Sequence, residues 1–386
     1  MINTINKTTV IQVVLLLLLT TGIFLPLHLT QIAFHDITDY RTYIVLIRNV
    51  INDPSGWSEI ANLPGWPLMV MAATRLFQFP IWKAALFIQM GIQSLLALIL
   101  FFSFKRNVLV GAKWLPIALP LAIMLAAPVF LIALEDNLYY FGYVGINSNH
   151  NPTIIALKPF VMLVFFFACA ALRGQKQPLL HSLICAGSVV TSTLIKPSYI
   201  ICLLPAVGII SLIRLFSNKD TDLRFILFSV SLPAILVLFY EYLSTYGADD
   251  IGIIFSPLTV MRNSSGWLLA KFILSAWFPL LASAVYIKEL RSSICMLLAW
   301  LTFIFGAGYT YLVAEGGWRI FHGNFTWSGE ITLFVLFTAT TFFFFKQRDP
   351  ASSQKEWAVL LLAGFIPHII CGLIYFSYCL MNNRYF

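Results

Sequence analysis

Residues 9–32 read TVIQVVLLLLLTTGIFLPLHLTQI, an apolar run without one charged side chain. A helix rises about 1.5 Å per residue and needs about 20 apolar residues to cross the hydrocarbon of a bilayer. Inside lipid every backbone N–H and C=O must be satisfied within the chain, so a run of this kind has to be helical. No A-x-A-like cleavage site follows it, and it reads as a retained membrane span rather than a signal peptide.

Working outward, similar runs recur at 82–104, 114–134, 154–172, 179–195, 199–216, 225–243, 267–287, 294–313, 331–345 and 357–380. The expected fold is therefore all-α: a polytopic integral membrane protein of about 11 transmembrane helices, one transmembrane domain over 1–386 with no separate soluble domain. The runs 179–195 and 199–216 are divided only by Lys196-Pro197-Ser198, and read either as a tight hairpin or as two tilted, broken helices. Composition agrees. Of 386 residues 60% are hydrophobic and 10% charged, with mean hydropathy +0.86. An ordinary soluble domain has about 25% charged residues and needs them as a solvated skin, so a water-soluble fold is excluded.

The formal charge of +8 does not point to nucleic acid, because Lys and Arg collect in short turns between spans. With a cytoplasmic N-terminus the inner turns hold fourteen of the 24 basic residues, among them Lys105, Arg106, Arg173, Lys176, Lys288 and Lys346. Most acids fall on the other side, including Asp36, Asp39, Glu241, Glu315 and Glu330. The bias gives a cytoplasmic N-terminus and an outside C-terminus, with any chemistry on the outer face. All six Cys lie inside apolar runs with no CxxC, and read as packing residues.

The first outer loop, 33–81, is the most informative stretch. From Asp39 the apolar residues Tyr40, Tyr43, Ile44, Ile47 and Ile51 recur at steps of three and four, which predicts an interfacial helix. After Pro54-Ser55-Gly56 and Pro64-Gly65-Trp66-Pro67, residues 68–79 are apolar but too short to span, and predict a second interfacial helix. Asp36 stands where the first span meets this surface. Two readings compete for it: Asp36, Thr38 or Asp39 caps the surface helix, or a carboxylate here takes a proton from a sugar hydroxyl while a donor's lipid stays in the bilayer.

This arrangement resembles the GT-C class of polytopic glycosyltransferases, which use lipid-phosphate sugars and carry an acid after the first span, surface helices in a large outer loop and further spans behind. Asp36, with Asp39 as second candidate, matches that family's first-loop acid, and Gly65-Trp66-Pro67-Leu68 is similar to the Pro-containing start of its second surface helix. Size and style also resemble bacterial O-antigen and surface-polysaccharide proteins. The resemblance implies a multi-pass protein of the bacterial inner (cytoplasmic) membrane with Asp36 as base or acceptor-positioning group.

Further polar clusters lie on the same face. Asn147-Ser148-Asn149-His150-Asn151-Pro152-Thr153 precedes a span, where Asn151 fits a helix cap and Pro152 the first helical position. His35, Arg41, His150 and Asn151 join the list of acceptor or sugar contacts. A cap does not explain Lys158, whose charge in or near the bilayer must snorkel, pair or meet an anion. Lys196, beside Pro197, repeats the pattern, with snorkelling and phosphate binding both open. The fifth outer loop, Glu315 to Glu330, adds Arg319 for a donor phosphate and His322 and Asn324 for hydroxyls, with Trp327 assigned to an interfacial aromatic belt. Asp249-Asp250 lacks further ligands, and no metal or cofactor is called for. His28, His181 and His368 read as lone histidines satisfied by neighbours.

The expected function is transfer of a sugar from a polyprenyl-phosphate carrier to a glycan or lipid-linked oligosaccharide at the outer face. Asp36 or Asp39 would serve the acceptor, and Lys158, Lys196 and Arg319 the phosphate. One alternative is an O-antigen or capsule polymerase that takes pyrophosphate-linked repeats. Another is a transporter or flippase of lipid-linked glycans, which predicts charges through mid-membrane rather than at outer helix ends.

Overall fold

The computed structural model describes residues 6–33, 38–61, 63–107, 113–247, 252–346 and 354–382. In chain order the main helices are α1 (Lys7–Ala33), α2 (Asp39–Asn52), α3 (Gly65–Phe77), α4 (Ile81–Asn107), α5 (Leu115–Leu125), α6 (Pro152–Leu172) and α7 (Leu179–Ile195). Then come α8 (Ile200–Phe216), α9 (Leu223–Tyr246), α10 (Leu268–Ser275), α11 (Trp277–Val285), α12 (Ile294–Leu312), α13 (Thr326–Lys346) and α14 (Trp357–Asn382). Among the described residues the one sheet is an antiparallel ribbon of β1 (Ile253–Phe255) and β2 (Val313–Glu315), with Ile253 opposite Glu315.

Among the described residues seven helices, α1, α4, α6, α9, α12, α13 and α14, are long and apolar enough to cross a membrane, the mark of a multi-pass all-α membrane protein. The count of eleven full spans is not reached. α10 and α11 form a pair bent by 65°, a broken span or a re-entrant turn, and α5, α7 and α8 are shorter apolar helices. The physical causes are local. In α5 the run Ala126-Ala127-Pro128 ends the helix, because proline disfavours helical geometry in the residue before it and supplies no N–H.

The chain beyond α5 stays buried without being helical, since Ala127 N donates to His368 O at 3.1 Å and Val129 N to Leu274 O at 3.2 Å. Irregular backbone is tolerated at such a place only when other elements satisfy it. Asn147 Nδ2 closes the end of α5 by donating to Ile123 O and Ala126 O, each at 2.8 Å. Between α7 and α8, Lys196 is extended (φ −169°, ψ 124°) and Pro197 prevents a continuous helix.

α13 is the central helix, buried along nearly its whole length. It packs against α12 through small residues: a Cβ at Gly306 would collide with Thr332 Oγ1, and one at Gly329 with Thr310 Oγ1. Such glycines let two backbones approach where lipid supplies no hydrophobic drive between helices.

The first loop packs onto this bundle. α2 buries Tyr40, Ile44, Ile47 and Val50, the stripe that its three- and four-residue spacing dictates. Tyr40 Oη meets His28 Nδ1 at 3.2 Å, and Gln93 Nε2 lies 3.4 Å from His28 Nε2, so His28 is satisfied by side chains of α2 and α4. His368 sits between Ala127 O (2.6 Å from Nδ1) and Phe278 N, which donates to Nε2 at 3.2 Å. In α3, Trp66 is fully buried and its indole donates to Gln89 Oε1 at 3.2 Å. A Cβ at Gly65 would come within 2.6 Å of Ile195 N, so this glycine seats α3 directly on the end of α7, next to Lys196.

Candidate functional site

Asn151 is the N-cap of α6. Its Oδ1 accepts from Thr153 N at 2.9 Å and Ile154 N at 3.1 Å, with Pro152 at the first helical position. Since Oδ1 is committed to those donors, Nδ2 faces away from the helix and donates to Asp39 Oδ2 at 2.6 Å. Asp39 is the first residue of α2. The cap position before it belongs to Thr38, whose hydroxyl donates to Gln31 O at 3.2 Å and accepts no cap bond from the helix. The Asp39 carboxyl is therefore oriented by a helix cap 112 residues away in sequence. Burial raises its pKa above the ordinary aspartate value, against the opposing pull of the Lys196 charge and the Asn151 hydrogen bond.

Lys196 lies at the elbow between α7 and α8, only 4% exposed. Its Nζ stands 4.9 Å over the Trp327 ring and makes no hydrogen bond or close ion pair with any described residue. Burial lowers its pKa to about 8, while Asp39, Glu330, Glu241 and Glu315 pull the other way. These four carboxyls come from α2, α13, α9 and β2, and all of them act on the Lys196 ammonium. Lys158 behaves differently. It is buried in α6, where Nζ donates to Asn147 Oδ1 at 2.6 Å and Ile146 O at 3.3 Å and lies 4.8 Å over Phe334. Its ammonium is thus hydrogen-bonded to the polar loop that closes α5 and also senses the Glu330 charge, and it lines neither of the two cavities that meet at Lys196.

Those cavities define the site. A polar chamber of about 670 Å³ is lined by Asp39, Tyr43, Glu59, Tyr140, His150, Asn151, Lys196, His322, Asn324, Trp327 and Glu330 among others. A cleft of about 470 Å³, mainly apolar, is lined by Ile201, Ile235, Leu238, Phe239, Tyr242 and Ile253, with Glu241, Glu315 and Arg319 at intervals. Leu63, Lys196 and Asn324 belong to both, so the ammonium stands where the polar and apolar spaces join.

Glu330 forms one wall of the chamber, just past the first turn of α13. It accepts from Ser148 N at 3.0 Å, Ser148 Oγ at 2.5 Å and Tyr140 Oη at 3.4 Å. Gly145 makes room for it, since a Cβ there would lie 2.8 Å from Glu330 Oε2. The 136–145 strip that carries Tyr140 is clamped by Lys271, which is fully buried, pairs with Asp136 and donates to Phe141 O at 3.1 Å and Ser265 Oγ at 2.7 Å. Gly142, at φ +85°, passes too close to Ser265 for any side chain.

The ribbon sets the opposite wall. Glu315, at the end of β2, accepts from Tyr246 Oη at 3.0 Å and Asn324 Nδ2 at 2.6 Å, and pairs with Arg319 at 3.6 Å. Arg319 faces the cleft with its guanidinium over the Trp318 ring, and His322, which reaches the chamber, meets the same ring edge-on. His150 packs between Tyr140 and Trp327, so Trp327 lines the chamber in place of the interfacial belt expected for it. Burial, with the Lys196 charge second, lowers the His150 pKa to about 3 and makes it a neutral imidazole.

Of the residues singled out in the sequence, Asp39, His150, Asn151, Lys196, His322 and Asn324 line the chamber and Arg319 the cleft. Arg41 is exposed on α2 and lines neither. His35, Asp36 and the Asp249-Asp250 pair lie outside the described residues. Sequence reasoning did not single out Glu241, Glu315, Glu330 or Tyr140; for the three glutamates their place among the outer acids was the available signal, and for Tyr140 there was none. Among the described residues no three His, Cys, Asp or Glu side chains gather in a way that would hold a metal ion. Comparison with family models, with curated proteins and with solved structures returns no match for this chain.

Proposed function

We propose that the protein is a membrane glycosyltransferase that moves a sugar from a polyprenyl-phosphate carrier to a glycan or lipid-linked acceptor. In this reading it lies in the inner membrane of a bacterium, with the chamber on the outer face. The observation that carries the proposal is Lys196: a buried ammonium without a hydrogen-bond partner among the described residues, set where an apolar cleft opens into a polar chamber. An anion that joins a hydrocarbon chain to a polar group fits that junction, because a buried cation is costly until something pairs with it.

The chemistry follows from the positions. The isoprenoid lies along Ile201, Ile235, Leu238 and Phe239, its phosphate at Lys196 and Arg319, and its sugar in the chamber. Asp39, held by Asn151, takes the proton from an acceptor hydroxyl, whose oxygen attacks the anomeric carbon. The bond from that carbon to the phosphate oxygen breaks, and its electron pair leaves with the phosphate, stabilised by Lys196. His150 and Trp327 offer an uncharged surface to the sugar. Asp36 stays a second candidate for the base.

The test is transfer of labelled sugar from a synthetic polyprenyl-phosphate donor in proteoliposomes. Transfer that depends on Lys196 supports the reading; transfer only from pyrophosphate-linked repeats assigns the polymerase instead, and movement of the donor across the bilayer without transfer assigns a flippase.

A further inference from the structure

Glu241 has no role in the scheme above, and its surroundings are unusual. It projects from α9 into the wall of the apolar cleft and is 4% exposed, and neither carboxyl oxygen hydrogen-bonds to any described residue. The other buried carboxyls of the site are satisfied, Glu315 by Tyr246 and Asn324 and Glu330 by Ser148 and Tyr140, as is the half-buried Asp39 by Asn151. The titratable groups that share the cleft with Glu241 are Lys196, Glu315, Arg319, Tyr242 and Tyr246. Lys196 is close enough to sense its charge, and Arg319 is paired with Glu315.

An ionised carboxylate in this place would lack both solvation and hydrogen bonds, and it would repel a phosphate brought to Lys196. A carboxylic acid has neither defect. It brings one O–H donor into a mainly apolar stretch of the cleft, and a phosphate oxygen is an acceptor for it. The charge balance of the reaction supplies a use. The donor phosphate is a diester with one negative charge, whereas the departing carrier is a monoester whose second proton has a pKa of about 6. Cleavage therefore creates one extra negative charge, in the cleft, beside a proton-bearing acid.

We propose that Glu241 is a catalytic acid for the leaving group: its carboxyl proton passes to the phosphate oxygen of the polyprenyl carrier as the bond from that oxygen to the sugar breaks. Glu241 becomes a carboxylate, the carrier leaves as the singly charged monoester, and a proton from water restores the acid once the cleft has emptied. This rests on the function proposed above, and Lys196 keeps the role of charge partner.

The test uses the product side of the step, so it does not depend on turnover. The full chain in lipid nanodiscs is mixed with a short isoprenoid phosphate, citronellyl phosphate, and the infrared difference spectrum is recorded near neutral pH, where the free monoester is largely doubly charged. The expected result is loss of a carboxylic-acid carbonyl band in the wild type, with gain of a carboxylate band, both missing in Glu241→Gln although that variant still binds. In transfer assays Glu241→Gln lowers kcat about tenfold or more with little change in KM. Binding of the phosphate with no carboxylic-acid band lost, or the same band lost in Glu241→Gln, overturns the role of Glu241 and leaves the function standing. Absence of any phosphate binding by the wild type overturns the function itself.

Discussion

Asn151 Nδ2 donates to Asp39 Oδ2 at 2.6 Å while Asn151 Oδ1 caps α6, so one side chain fixes both the start of a central helix and the direction of the candidate base. The two jobs can be separated by substitution. Aspartate caps a helix about as well as asparagine, so Asn151→Asp keeps the start of α6. It also places a second carboxyl against Asp39, and sugar transfer falls about tenfold or more. Asn151→Ala loses the cap as well, at about 1 kcal/mol. Thermal unfolding in detergent and transfer rates on the same preparations check both outcomes.

The charge of Lys196 is expected to act on the donor. Lys196→Met keeps an unbranched side chain, one atom shorter, and removes its charge. Loss of one charge-assisted hydrogen bond of about 1.5–3 kcal/mol weakens donor binding by roughly ten- to hundredfold. Because an unpaired buried cation is removed, the empty protein becomes no less stable, and a melting curve without donor checks this.

The two groups set opposite limbs of a pH profile. Burial raises Asp39, so its base form is lost, as pH falls, at a higher pH than an ordinary aspartate would require. Burial lowers Lys196 to about 8, so its ammonium, and with it donor affinity, is lost as pH rises through about 8. The sign for stability is the reverse for Lys196: folding holds its proton less firmly than the unfolded chain does, which costs stability below about 8 and is relieved as pH rises toward the ordinary lysine value. Initial rates from pH 5 to 10, in wild type and in Lys196→Met, read these limbs, and the variant lacks the alkaline one.

Gly65 controls the elbow from the other side. A Cβ there meets the backbone nitrogen of Ile195 at 2.6 Å, a contact that only movement of α3 or α7 relieves. Gly65→Ala is expected to cost about 1–3 kcal/mol and to weaken donor binding through Lys196, measured by denaturation and by donor titration.

The Lys271 clamp is a stability element outside the two cavities that meet at Lys196. Lys271→Met leaves Asp136 without its partner and Phe141 O and Ser265 Oγ without their donor, at about 3–5 kcal/mol. Replacing both members, Lys271→Met with Asp136→Leu, recovers part of that loss, which a double-mutant cycle measures.

What the sequence discloses and what it hides follow from the range of the forces involved. Apolar length and the α2 stripe are local properties, so α1, α4, α6 and the buried face of Tyr40, Ile44 and Ile47 were readable. The Asn151 cap was readable for the same reason, being written in Asn-Pro-Thr. The early end of α5 was not, because 114–134 is apolar throughout and its irregular backbone is satisfied by His368 O and Leu274 O, far away in the chain. The two lysines looked alike in sequence, each at a span end beside a proline. Only tertiary packing gives Asn147 to Lys158 and leaves Lys196 facing a cavity. Glu241 and Glu330 passed unselected because which way a helix faces is decided by its neighbours.

The most direct measurement is transfer of labelled sugar from a polyprenyl-phosphate donor by purified protein in proteoliposomes, run side by side for wild type, Lys196→Met and Asp39→Asn. The account predicts transfer by the wild type, rescue of Lys196→Met by raised donor concentration, and a loss of kcat in Asp39→Asn that no donor concentration restores. Wild-type rates in both variants, or no transfer from any lipid-phosphate donor by a folded wild type, would contradict it.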